Sequence, residues 1–206
     1  MTVSGLDALA RLREGNQRFV SGTRRLDAVA NHTRRGEVAA AQNPLAIVLG
    51  CSDARVPAEL IFDQGLGDLF VIRVAGNIVA PSQVGSVEFA AAQFGTRLVV
   101  VLGHTGCGAI LATIEEVRNR GDHSPAVRSI VDRIRPAVES LLAAELGDDD
   151  DRLMHLAVRA NVRASANHLR HGSALVEQLI QESGLLVVGA EYSLETGEVD
   201  FFDGAG

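Results

Sequence analysis

The chain has 206 residues, 47% of them apolar, which is enough for one sizeable core and too few for a second large domain. Its formal charge is −7, with 26 acidic residues against 19 basic ones, and it holds one tyrosine and no tryptophan, so a nucleic-acid partner is not expected. No apolar run approaches the roughly eighteen residues of a membrane helix and no basic-then-apolar leader opens the chain, so the expectation is a cytoplasmic protein with no membrane span.

In chain order, residues 5–20 place apolar side chains at 6, 9, 12, 19 and 20 among charges, the pattern of an amphipathic helix, broken at the weak formers Gly15 and Asn16. Residues 21–43 are polar and read as an arm crossing a surface. Seven arginines stand against three acids in the first 36 residues, a local basic bias that suits an acidic surface such as that of a partner subunit. Charge alone fits a solvated terminal helix equally well. Residues 1–43 are set apart as an N-terminal helical arm, and 44–206 as one α/β unit.

Pro44 opens a buried strand at about 45–50, and Pro57 suits the first turn of a short helix ending near Phe62. Leu69 to Val74 is a second strand closed by the Gly76–Asn77 turn, residues 82–94 are helical, and Leu98 to Leu102 is a third strand. A helix over about 107–119, a loop at 121–125 and a long helix over 126–146 follow, with Pro136 as a kink or restart. Asp148 to Asp151 suit a helix start, since carboxylates there oppose the positive end of the dipole. Helices to about 170 and 182 lead to a fourth strand at Leu185–Val188, and Glu198–Phe202 can add an antiparallel edge. Strands alternating with helical crossovers predict a mostly parallel four-stranded central sheet flanked by helices.

Both cysteines follow such strands. Cys51 comes directly after LAIVLG; His104 and Cys107 come directly after RLVVVLG, with Gly106 and Gly108 flanking the thiol. Ligands of open parallel sheets gather at these carboxyl ends, so two adjacent strands would bring the three side chains together as a Cys₂His set suited to zinc. In a reducing cytoplasm a disulfide between them is disfavoured. The fourth position on the metal would fall to solvent or to the nearby Asp53. An arginine two residues further on, Arg55, offers a two-pronged clamp able to draw that carboxylate off the metal. Other chemistries fit less well. The spacing from Cys51 to Arg55 is too short for a phosphate-wrapping thiol loop, a Cys–His nucleophile pair explains one cysteine only, and a Walker loop needs a lysine the chain lacks.

The segments CSDARVPAE at 51–59, FDQGLGDLFVIRVAGN at 62–77 and GHTGCGA at 103–109 together closely resemble the β-class carbonic anhydrases, over about residues 5–202. The resemblance implies one Zn²⁺ per chain on Cys51, His104 and Cys107, an Asp53–Arg55 catalytic dyad, and reversible hydration of CO₂ to bicarbonate. It also implies an obligate homodimer, formed partly through the N-terminal helical arm of residues 1–43, or a dimer of dimers. Gln42 and Phe70 match pocket residues of the plant-type members, Phe89 stands where those carry tyrosine, and Gly108 lies in the matching glycine turn of the substrate pocket. Bicarbonate-inhibited bacterial members use a tryptophan, an arginine and a tyrosine; Arg73 and Tyr192 match, but Val48 stands at the tryptophan position. The nearest alternatives are hydrolysis of a sulfur analogue such as carbonyl sulfide or carbon disulfide on the same fold, and a zinc-stabilised structural protein. His32, His123, His155, His168 and His171 are expected at surfaces or helix contacts, not as proton shuttles.

Overall fold

The computed structural model describes residues 3–24, 32–119, 123–144 and 149–205. Its elements in chain order are α1 (Gly5–Val20), α2 (His32–Val38), β1 (Ala46–Gly50), α3 (Ala58–Ile61), β2 (Leu69–Arg73), α4 (Pro81–Gln93), β3 (Leu98–His104), α5 (Gly108–Asn119), α6 (Pro125–Ala143), α7 (Asp150–His171), α8 (Ala174–Ser183), β4 (Leu186–Tyr192) and β5 (Val199–Asp203). Residues 25–31 of the expected arm, residues 121–122 of the expected loop, residues 145–146 of the expected long helix, and Asp148 lie outside the described residues, as does the side chain of His32.

Every residue of β1 and β3 is buried, as strands covered on both faces must be. The sheet order is β2-β1-β3-β4-β5, with the first four strands parallel and β5 antiparallel on β4. From β1 the chain moves outward to β2, then crosses back over β1 to build β3 and β4 on the other side. The order therefore reverses between β1 and β3, and the carboxyl ends at such a reversal are the position where sheets of this kind bind ligands.

Alternation along the strands divides the core. Val48, Val100 and Val188 face α1 and α3, meeting Ala8, Leu9, Leu12, Ile61 and Phe62. Ile47, Leu49, Val99 and Val101 face the opposite way, onto Val87 of α4, Val162 and Leu169 of α7 and Val176 of α8. A third apolar cluster, from α5, α6 and α7, packs beneath the sheet's carboxyl end and includes Cys51 and Cys107.

Three local expectations change. The first helix runs unbroken through Gly15 and Asn16. These weak helix formers are there for docking: a Cβ on Gly15 would stand 1.8 Å from the carbonyl oxygen of Phe62. Asn16 is 6% exposed; its amide donates to the carbonyls of Ile61 and Gly197, and its oxygen accepts from the N–H of Val199. Through this face α1 belongs to the core of its own sheet. Pro136 neither ends nor restarts α6, which is assigned as one helix through it. Finally, β4 continues to Tyr192, because Gly103 and His104 pair with Glu191 and Tyr192 in register. Among the described residues no helix is long and apolar enough to cross a membrane.

The close approach at Gly15 makes a test of this packing. Gly15→Ala should improve intrinsic helix propensity yet destabilise the protein by about 1–3 kcal/mol, since a backbone carbonyl cannot rotate away as a side chain can. Urea unfolding measures the difference, and a Gly15→Ala protein as stable as the parent would show that α1 does not seat this closely.

Candidate active site

Cys51 is the first residue beyond β1, His104 is the last of β3, and Cys107 sits in the turn leading into α5. Between the last two, Gly106 takes a φ of 63°, a left-handed conformation that lets the chain double back so that both side chains converge. The Sγ atoms of Cys51 and Cys107 are 4.0 Å apart and unbridged. With a ring nitrogen of His104 they form a buried trio whose ligand atoms all lie within 4.8 Å of one another.

The imidazole is oriented for ligation. Its Nδ1 lies 2.9 Å from the carbonyl oxygen of Thr105, which can only accept, so the proton belongs on Nδ1. Thr105 is anchored in turn: its N–H donates to Tyr192, and its hydroxyl accepts from the N–H of Leu194. The Nε2 lone pair is thereby exposed to the thiols, and this fully buried atom has no hydrogen-bond partner. A buried acceptor without a donor is costly. A soft divalent cation bound jointly by Nε2 and two thiolates removes that cost, and the donor set fits zinc.

The two thiols shift each other's pKa in opposite directions. A hydrogen bond from Cys107 draws the Cys51 pKa far below the ordinary thiol range, with help from His104 and the N–H of Gly76 and against burial. The same bond, together with burial, pushes Cys107 well above that range. Burial disfavours a charged His104, yet its contacts with Cys51 and Thr105 outweigh this and raise its pKa. A metal binds the thiolate and neutral-imidazole forms of these side chains, so its binding here strengthens as pH rises.

Asp53 stands just outside the trio, with Oδ2 3.9 Å from His104 Nε2. Both carboxylate oxygens are engaged by Arg55: Nε donates to Oδ1 at 2.9 Å and a terminal nitrogen to Oδ2 at 2.7 Å, while the Arg55 N–H also reaches Oδ1 at 3.0 Å. The guanidinium holds the Asp53 carboxyl far below the usual carboxylate range. Its folded pKa is depressed, so the pair is intact above the ordinary aspartate pKa and is lost only as pH falls through the depressed value. Asp53 is therefore ionised at every physiological pH.

Arg73, a position matched in sequence to bicarbonate regulation, has another occupation. Its Nε donates to the Cys51 carbonyl at 3.0 Å and a terminal nitrogen to the Asp53 carbonyl at 2.6 Å, so it clamps the loop carrying both residues. Tyr192 is 6% exposed and Val48 fully buried, both in the core against α1.

The structure thus brings together Cys51, Asp53, Arg55, His104 and Cys107, with exposed Gly108 starting α5 beside them. It does not bring the other candidates to this centre. Phe70 pairs with Ile47, four residues before Cys51, which places it roughly 13 Å back along the sheet. Phe89 is 54% exposed on α4 and meets Phe70 and Phe94 in a ring cluster with centroids 5.6–6.3 Å apart. Gln42 is exposed in the segment before β1. Among the remaining histidines, His123, His155 and His171 stand beside the carboxylates of Glu116, Glu191 and Glu177. Sequence reasoning missed the Gly76 N–H, which donates to Cys51 Sγ at 3.4 Å; the Gly76–Asn77 pair was legible only as a turn.

Comparison with known proteins agrees with this geometry. A family model described as carbonic anhydrase matches residues 46–199. Carbonic anhydrase 2 of Mycobacterium tuberculosis is 37% identical over 195 residues, covering 95% of this chain and 91% of that protein. The carbonic anhydrase of Mycolicibacterium smegmatis is 37% identical over 192 residues, covering 92% and 89%. Among solved structures, the β-carbonic anhydrase CafA of Aspergillus fumigatus superposes with a TM-score of 0.77 at 25% identity, covering 97% of this chain and 90% of that one. The tetrameric β-carbonic anhydrases of Sordaria macrospora share the fold, with a TM-score of 0.74 at 23% identity over 81% of this chain and 84% of that one. A match of the family model over most of the chain, joined to relatives that align nearly end to end, establishes that the chain belongs to the β-class carbonic anhydrases.

Proposed function

We propose that this chain hydrates CO₂ reversibly to bicarbonate and a proton at a zinc ion held by Cys51, His104 and Cys107, with Asp53 and Arg55 as its catalytic dyad. The observation that carries the reading is the state of Asp53. A carboxylate this close to a metal set would ordinarily join it, yet both of its oxygens are taken by Arg55. It acts as an acceptor beside the centre instead of as a fourth ligand, which also argues against a purely structural zinc.

Zinc in this donor set supplies Lewis acidity that brings the pKa of a water toward neutrality. Two thiolates balance its charge, and His104 adds a neutral nitrogen whose direction is fixed through Thr105. Because Asp53 is ionised, it can only accept. It therefore selects the orientation of the reacting water in which an O–H points at the carboxylate and a lone pair points toward the CO₂ carbon. Arg55 keeps that acceptor in place, and Arg73 holds the Cys51–Asp53 backbone at a fixed spacing. The C–O bond would form as one C=O π bond of CO₂ opens, giving bicarbonate; this would leave by exchange with water, whose proton then passes to buffer.

The apolar side of the pocket is assigned to a second subunit. Phe70, Phe89 and Gln42 lie away from this chain's own centre, and the Phe89 ring is exposed beside the edge strand β2. Those features suit a homodimer in which each chain completes its neighbour's site and Gln42 donates to the substrate. The Sordaria relatives are tetramers, which accords with pairing of dimers. The paired, reduced cysteines suit a cytoplasmic setting.

Three outcomes follow from this assignment. Purified protein should carry close to one zinc per chain, and Cys51→Ser, His104→Ala and Cys107→Ser should each lose most of it; full zinc by elemental analysis in the Cys107→Ser protein would remove Cys107 from the set. Arg55→Ala should retain zinc while kcat/KM for CO₂ hydration falls at least about tenfold in stopped-flow assays, because Asp53 is released from its orientation. Unchanged kcat/KM would strip the dyad of its role. Phe89→Arg should yield a zinc-loaded but poorly active monomer in light scattering, whereas an active monomer would contradict the shared pocket.

A further inference from the structure

Two buried polar residues of α7 have no part in the reaction as described. Asn161 is 2% exposed and Ser165 5% exposed, one helical turn apart on a face that otherwise presents Val158, Val162, Ala166 and Leu169. Polar side chains in such a face are costly unless each finds a partner. Both partners are backbone carbonyls of one turn: the Asn161 amide donates to Gly76 at 2.8 Å, and the Ser165 hydroxyl donates to Asn77 at 3.0 Å.

That turn is strained and serves the metal centre. Gly76 and Asn77 both take left-handed conformations, with φ of 68° and 43°. The second is uncommon for a residue bearing a side chain and persists only where the surroundings over-determine it. A Cβ on Gly76 would lie 2.7 Å from Ile134 Cδ1 and 3.1 Å from Ala109 Cβ, so the turn is also wedged against α6 and α5. Its ends are secured by Val74 N–H to Gly50 and Asn77 N–H to Val74, but neither bond fixes the carbonyls of Gly76 and Asn77. The N–H of Gly76 then points at Cys51 Sγ, 3.4 Å away and buried.

We infer that Asn161 and Ser165 are positioning residues for the metal centre: by gripping the Gly76–Asn77 turn from α7 they hold the N–H that bonds to the Cys51 sulfur. A hydrogen bond to a thiolate stabilises its charge and withdraws density from its bond to a metal, and outer partners of this kind set both affinity and electronic character. Ordering the turn in advance also means that metal binding need not do so. The inference rests on Cys51 being a zinc ligand, as proposed above.

The test reads the metal directly. Zinc affinity is measured by chelator competition, and the sulfur-to-cobalt charge-transfer band is recorded on protein loaded with Co²⁺. Asn161→Leu should weaken zinc binding about tenfold or more and shift the band. Ser165→Ala should do the same to a smaller extent, and Ser165→Thr, which keeps the hydroxyl, should restore the wild-type values. Leu169→Ala on the same helix serves as the control, lowering thermal stability while leaving affinity and band unchanged. Folded Asn161→Leu and Ser165→Ala proteins with wild-type affinity and band would overturn the inference, as would a Leu169→Ala protein that shifts the band equally. If Asn161→Leu fails to fold, Ser165→Ala decides on the same two readouts. Wild-type protein that takes up zinc and cobalt without any charge-transfer band would remove the thiolates as ligands, and both the zinc assignment and this inference would fall together.

Discussion

The parallel pairing of β1 with β3 is the constraint on which the site depends. Gly50 stands opposite Leu102, so the two strands end at nearly the same level. Cys51 emerges beside Gly103, and His104 and Cys107 follow within one turn. Shifting that register by one residue would exchange the faces of β3, move His104 out of reach and force both close-packed faces to repack. The position of the ligands is thus a consequence of core packing as much as of local sequence.

Around this frame the charged groups are arranged in order of exposure. Cys51, Cys107 and His104 are buried and depend on one another for their charge states. Asp53, with its side chain 18% exposed, lies one step outward, and Arg55, 59% exposed, lies beyond it. An exposed ion pair contributes little to stability. The value of this one lies in where it holds the Asp53 oxygens. Arg73 restrains the backbone of the same loop from the neighbouring strand, so two arginines act on one carboxylate, one through its side chain and one through its main chain.

The sequence displayed the residues that act alone or with close neighbours. Cys51, His104 and Cys107 were legible because each follows an apolar run, and Asp53 with Arg55 because their spacing permits a clamp within one loop. The antiparallel edge strand was legible at Glu198–Phe202, just after a turn. What it hid depends on contacts far apart in the chain. Gly15 and Asn16 read as a break because their partners Phe62, Gly197 and Val199 are distant in sequence. Arg73 could be matched to a position but not to the carbonyls it binds. Asn161 and Ser165 resemble any polar residues on an amphipathic helix until the Gly76–Asn77 turn, 85 and 88 residues away, is placed against them. Phe70 and Phe89 were singled out only by resemblance, since one chain alone does not bring them to its own centre.

The claim at the heart of this account is that Cys51, Cys107 and His104 jointly bind the metal while Asp53 stays with Arg55. The X-ray absorption spectrum of the zinc-loaded protein at neutral pH tests it most directly. It should fit two sulfur scatterers at about 2.3 Å and one imidazole nitrogen at about 2.0 Å, completed by a single light atom, and the fit should be unaltered in an Asp53→Asn protein. A shell with fewer than two sulfurs, or one that loses its light atom when Asp53 is replaced, would contradict it.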